Sequence, residues 1–304
     1  MRRKNKIWIK QNRICAAVLV AVLLVILASV SARHEHAVVL IRKTSLAMVT
    51  TEQNMHRTPL YAGIVAEIKD NEMVILEDNK EILAVAAERA LHPEAYVYTF
   101  LQGPKSWNEG RTWSGEWSGE YVNGNYFGNF GCGLCCMANI YCTLTKYTCS
   151  PWDMYEYARQ VSGYHPTKKV GAIGWADMKV TLRKSGFDCS LNNKPDSYEE
   201  FQEQIKNAKS VVVLVCSRDD DTFWENTGGH YVNISLYRED TDEVFLADPS
   251  GPTKNRTWIP LRYVYDALKT ASQYQYLLVH GYVEENNLWK QDGIDEAWVA
   301  PEEM

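Results

Sequence analysis

Residues Gly131–Thr145 run GCGLCCMANIYCTLT, a glycine-flanked cysteine at the head of a helical pattern. Two glycines bracket Cys132, and small or apolar residues follow at helical spacing at Cys135, Cys136, Ala138, Ile140 and Leu144. A Gly-rich loop that becomes a helix at a cysteine sets the sulfur at the positive end of the helix dipole. Glycine on both sides lets a substrate backbone approach closely. A thiol becomes a nucleophile only when a neighbour stabilises its thiolate, so a base should be encoded elsewhere in the chain.

The candidates lie downstream, where the hydrophobic period changes. Val211–Cys216 (VVVLVC), His230–Tyr237 (HYVNISLY), Glu243–Ala247 (EVFLA) and Tyr274–Val283 (YQYLLVHGYV) read as strands separated by polar turns. His230, in TGGHYVNIS, heads the second of these, and Asp248, in FLADPSG, ends the third, where Pro249 stops the pairing. If those strands are adjacent and antiparallel, the carboxylate of Asp248 can orient the imidazole of His230. Between the cysteine and the strands, Ser150–Gly163, Trp175–Gly186 and Tyr198–Ala208 read as helices, and Leu261–Lys269 as one more. Helices followed by mostly antiparallel strands define an α+β domain.

In chain order the sequence offers FLQGPKSW, GNFGCGLCCMANIY, GGHYVNI and LADPSG. Over about Tyr98–Val283 this series resembles the papain-like cysteine peptidases related to the bacteriocin-processing, double-glycine-leader peptidases, in their secreted or membrane-anchored branch. The resemblance implies a papain-like fold with Cys132 as nucleophile, His230 as base and acid, and Asp248 as its orienter. It also implies Gln102 as an oxyanion donor beside the Cys132 backbone N–H. Departures from the pattern are Gly103 directly after Gln102, with no Asp following, and Gly-Cys-Gly-Leu in place of Gly-Cys-Gly-Pro. No GxxxxGK[ST] phosphate loop is present, so leader cleavage by an exporter is not carried over.

The remaining features set the context. Six basic residues and no acid occur in Met1–Arg13, and Ile14–Ala32 then runs uncharged for 19 residues. As a helix that run would rise ~28 Å, enough to span a bilayer core. It is expected to anchor the chain with its body outside the cytoplasm, or to act as a signal peptide cleaved after Val30-Ser31-Ala32. Expected boundaries are a basic tail at 1–13, the anchor at 14–32 and a spacer at 33–95 containing a helix at Asn79–Leu91. A hydrolase domain at 96–285 and a solvated acidic tail at 286–304 follow. The Trp-rich stretch Gln102–Phe130 is expected to carry specificity, aromatic packing under a surface loop being the plainer reading. A net charge of −6 argues against nucleic acid as partner. The expected partners are a peptide or protein substrate, cell-wall and surface-associated material included, and the membrane. No metal or cofactor is called for. The rival readings are a thiol-disulfide oxidoreductase using Cys132 and Cys135 as a C-x-x-C pair, and an inactive relative that binds peptide or cell wall.

Overall fold

The computed structural model describes residues 41–42, 66–69, 72–75, 92–168, 171–217 and 223–301. The expected membrane segment Ile14–Ala32 and the expected helix Asn79–Leu91 lie outside these residues. No helix among the described residues is long and apolar enough to cross a membrane. The chain forms two compact units, Met1–Ala95 and Tyr96–Met304. In the first, Glu72–Ile75 pairs antiparallel with both Ala66–Lys69 and Ile41–Arg42.

The second unit is built on a six-stranded sheet. Its strands are β1 (Ser185–Asn192), β2 (Ser210–Val215), β3 (His230–Arg238), β4 (Glu243–Ala247), β5 (Thr257–Pro260) and β6 (Tyr276–Asn287). They lie in the order β5-β4-β3-β2-β6-β1, and every pairing is antiparallel. The unbroken apolar run of β2 has a physical reason: alternate residues serve opposite faces, and both faces are covered. Val212 and Leu214 join the core shared with helices α1 (Cys132–Leu144), α2 (Pro151–Ser162) and α3 (Trp175–Lys184). Val211, Val213 and Val215 join the core beneath α4 (Tyr198–Asn207) and α5 (Leu261–Ala267).

Local chemistry places the helices. Ser150 and Asp153 form a reciprocal cap on α2: Asp153 N–H donates to Ser150 Oγ at 3.0 Å, and Ser150 N–H donates to Asp153 Oδ2 at 2.6 Å. Such a cap contributes about 1 kcal/mol. Gly163 ends α2 in the left-handed region at φ 78°. Helix α1 is buried on all sides from Cys132 to Cys142, so it forms the centre of one layer and is no surface helix.

Three expectations are corrected. Strands β1 and β5 were not foreseen; both are edge strands with a single pairing partner, and edge strands carry the weaker alternation. In the Trp-rich stretch the plainer reading, aromatic packing, replaces specificity for two of the rings: Trp113 and Trp117 are buried, and Trp117 Nε1–H donates to the Leu101 carbonyl at 2.8 Å. Those two rings are therefore core and do not face a substrate. Finally, the acidic end is not a free tail. Trp298–Val299 pairs with Ser114–Gly115, and the Trp289 ring stacks on Tyr157 with centroids 4.4 Å apart. Trp298 also packs against Phe100 at 5.5 Å. A few aromatic anchors dock the segment, whatever the charge of the residues between them.

Docking takes Glu296 with it, and both of its carboxylate oxygens are out of water. Burial pushes its carboxyl up to about 7, with Asp153 and Asp295 adding to the effect and Ser150 opposing it. A raised carboxyl favours the docked state while protonated and loses that advantage as pH rises through about 7. Limited proteolysis within 288–301 should therefore be faster at pH 8 than at pH 5.5. Glu296→Gln should remove that difference; an unchanged pH dependence in the variant would remove Glu296 as its cause.

Candidate active site

Cys132 is the first residue of α1, and no side chain caps the helix at Gly131. His230 is the first residue of β3, and Asp248 directly follows β4. These strands are adjacent and antiparallel, with Ala247 opposite Asn233, and α1 packs against β3. The topology thus delivers a helix N-terminus and two strand ends to one place. The imidazole Nε2–H donates to Asp248 Oδ1 at 2.8 Å. That leaves Nδ1 as the ring nitrogen to face Cys132, a residue near enough to raise the pKa of the imidazole. All three residues are buried, as is Gln102.

The electrostatics follow from the pairing. Burial alone lowers the pKa of the imidazole, but Asp248 and the Cys132 side chain outweigh it and raise His230 to about 10. Burial likewise pushes the Asp248 carboxyl up, yet His230, the Ser250 N–H and Trp224 together hold it at about 2. Asp248 is supplied with donors on every side. Trp224 Nε1–H donates to Oδ2 at 3.1 Å, and the backbone N–H groups of Ser250 and Gly251 donate to Oδ1 at 3.0 Å each. The Ser250 hydroxyl lies 2.9 Å from His230 Nε2 and 3.3 Å from Asp248 Oδ1. Neither Trp224 nor Ser250 was singled out from sequence. The Asp-Pro-Ser-Gly run is a turn in which an aspartate accepts from its own downstream amides, and that pattern signals Ser250. Nothing local signals Trp224, which comes from a different loop.

The segment that ends in Gln102 is held by three hydrogen bonds. Phe100 N–H donates to Asn139 Oδ1 of α1 at 2.8 Å, and Gln102 N–H donates to the Pro249 carbonyl at 2.8 Å. Its side-chain Nε2 donates to the Gly128 carbonyl at 2.7 Å, which leaves one amide hydrogen uncommitted by that bond. Gln102 therefore bridges the turn after Asp248 and the segment just before Cys132.

The glycines beside Cys132 prove to have a different reason from the expected one. A Cβ on Gly131 would meet the Phe127 ring at 2.2 Å, and one on Gly133 would meet Ile173 at 2.6 Å and Tyr231 at 3.3 Å. They admit the protein's own side chains to the head of the helix, not only a substrate. The C-x-x-C reading is also disfavoured, because Cys135 is fully buried and burial pushes its thiol well up. No group of three or more metal-ligating side chains occurs among the described residues.

Residues 129–276 match the family model of phytochelatin synthase. That family consists of papain-like cysteine enzymes of the acyltransferase and peptidase kind. The matched span takes in Cys132, His230 and Asp248 and begins after Gln102. No curated protein matches the chain. The family match and the α+β architecture agree on a papain-like cysteine-enzyme domain. They do not extend to the bacteriocin-processing peptidases that the motifs resemble.

The pair sets a pH window for stability. His230 contributes fully below 6.5 and loses its contribution as pH rises through about 10. Asp248 contributes fully above 3.8 and loses its contribution as pH falls through about 2. Both are intact near pH 5, so His230→Ala should cost roughly 3–5 kcal/mol there, as for a buried charge stripped of its partner. Urea denaturation of both proteins should show the gap narrowing toward pH 10; a gap that is flat with pH would mean that the residues do not titrate as a pair.

Proposed function

We propose that the chain is an extracytoplasmic cysteine peptidase that opens a peptide amide through a thioester on Cys132. The observation that carries the proposal is the Asp248–His230 hydrogen bond at two neighbouring strand ends, with Cys132 at the head of α1 near enough to raise the pKa of the same imidazole. His230 takes the thiol proton, the sulfur attacks the carbonyl carbon, and the C–N bond breaks as His230 returns the proton to the leaving amine. The Cys132 backbone N–H and the Gln102 amide donate to the oxyanion. Asp248 keeps the ring in position with Nε2 occupied, and Ser250 and Trp224 keep Asp248 in position. Water activated by His230 then hydrolyses the thioester. This chemistry calls for no metal or cofactor.

A second reading differs only in the last step. The match to phytochelatin synthase supports transfer of the acyl group from Cys132 to the amino group of a second peptide. Both readings share the thioester, so the acceptor is what separates them. The site outside the cytoplasm rests on the basic Met1–Arg13 and apolar Ile14–Ala32 run.

The test is a peptide library incubated with the protein, with and without added peptide amines, and read by mass spectrometry. Hydrolysed products support the first reading and new peptide bonds the second. Cys132→Ala should abolish both, and His230→Ala should lower turnover by about 10⁴-fold. Gln102→Ala should lower turnover by ~10²-fold while Cys132 alkylates at its usual rate, since the amide acts on the oxyanion and not on the resting thiol. Full activity in Cys132→Ala would end the proposal. Protease added outside intact cells should cut the domain; complete protection there would return it to the cytoplasm.

A further inference from the structure

Two thiols that take no part in the proposed chemistry face each other at the far end of α1. Cys142 lies in its last turn and Cys149 directly precedes Ser150, the cap of α2. Their sulfurs are 4.0 Å apart, in van der Waals contact. Cys149 N–H donates to Cys142 Sγ at 3.3 Å, and the same sulfur lies 3.3 Å from the Cys149 carbonyl. The intervening turn is held in place: Thr145 Oγ1 donates to the Tyr141 carbonyl at 2.8 Å and accepts from Tyr147 N–H at 3.0 Å. The backbone therefore already brings the two side chains together. The sulfurs need to approach by only about 2 Å to reach the ~2.05 Å of a bond.

We infer that Cys142 and Cys149 form a site of disulfide exchange that locks the end of α1 to the start of α2. The oxidant is a small-molecule disulfide such as oxidised glutathione. Cys142, the less buried of the two at 6% exposure, attacks it first as the thiolate. A mixed disulfide forms and one glutathione thiol leaves. Cys149 then attacks the Cys142 sulfur and expels the second. Two protein thiols are oxidised, one disulfide is reduced to two thiols, and the two protein protons leave on those thiols. The inference does not rest on the proposed activity or location.

The bond would also act on the C-terminal segment. Gly293 N–H donates to Thr148 Oγ1 at 2.9 Å, and Tyr147 stacks on Tyr141, which in turn packs against Trp289. The turn closed by the disulfide is thus part of the seat for residues 289–293.

The test uses the full-length chain with Cys132→Ala, so that the candidate nucleophile does not join the exchange. The protein is equilibrated across ratios of oxidised to reduced glutathione, quenched in acid, alkylated and digested with trypsin without reduction. Trypsin cuts after Lys146 and so separates the two cysteines into different peptides. The expected result is peptide Thr112–Lys146 linked to Tyr147–Arg159, lost in Cys142→Ser. The oxidised form should also melt about 5 °C above the reduced one, as a short closed loop implies. If Cys142→Ser fails to fold, fragmentation of the linked peptides distinguishes Cys142 from Cys135 and Cys136. Cys149 remaining fully alkylated at every ratio, or a link to Cys135 or Cys136, would overturn the inference.

Discussion

The hydrogen bond between His230 and Asp248 is the constraint around which the second unit is arranged. Removing two ionisable groups from water costs several kcal/mol each, and their mutual attraction repays it only when their remaining hydrogen-bonding capacity is met. Asp248 meets that condition with donors from the Trp224 indole and two amides of its own turn. It is also tethered through its own N–H, which donates to Asn255 Oδ1 at 3.2 Å, and Asn255 Nδ2 donates in turn to the Thr99 carbonyl at 2.9 Å. That chain of bonds runs from the backbone of Asp248 to the extended segment that leads to Gln102. Moving the aspartate would therefore disturb the segment before Gln102 as well as the imidazole.

The layers supply the rest of the geometry. A sheet covered on both faces leaves only its strand ends open, and here two neighbouring ends carry His230 and Asp248. The buried helix α1 brings its N-terminus to the same place because Gly133 lets Ile173 and Tyr231 pack closely against it. The Tyr98–Gln102 segment lies along α1, with Phe100 N–H donating to the side-chain Oδ1 of Asn139, and is covered from the other side by Trp113 and Trp298. The C-terminal segment thus supports the site at one remove. Its loss would loosen the Phe100 ring first and Gln102 through it.

Much of this was legible in the sequence because the signals are local. Glycines on both sides of Cys132, a histidine after two glycines and an aspartate before a proline mark helix and strand ends by backbone chemistry alone. Helix α2 was equally plain, since Ser-Pro and Gly bound it. What escaped depends on contacts between distant residues. Trp224 approaches Asp248 from a loop, and no spacing rule connects them. Trp113 and Trp117 sit among turn residues, yet a three-dimensional cage of aromatic rings buries them. The acidic composition of the last residues hid the docking of Trp289 and Trp298, because composition averages over residues while packing depends on a few.

The coupling of His230 to Cys132 bears on how the proposed chemistry would move a proton. Part of what raises the imidazole to about 10 is Asp248, and part is the Cys132 side chain. In the proposed reaction the sulfur becomes a neutral thioester, so its share of that stabilisation vanishes while the share from Asp248 persists. The imidazolium then holds its proton less tightly at the stage where the leaving amine needs one. Once the proton is gone, the neutral ring is the base that the second step requires, and Asp248 still fixes its orientation through Nε2. Whether water or an amine arrives next, the same ring can take its proton. A buried site in which Asp248 stays on Nε2 throughout thus serves both half-reactions without any change of partner for the histidine.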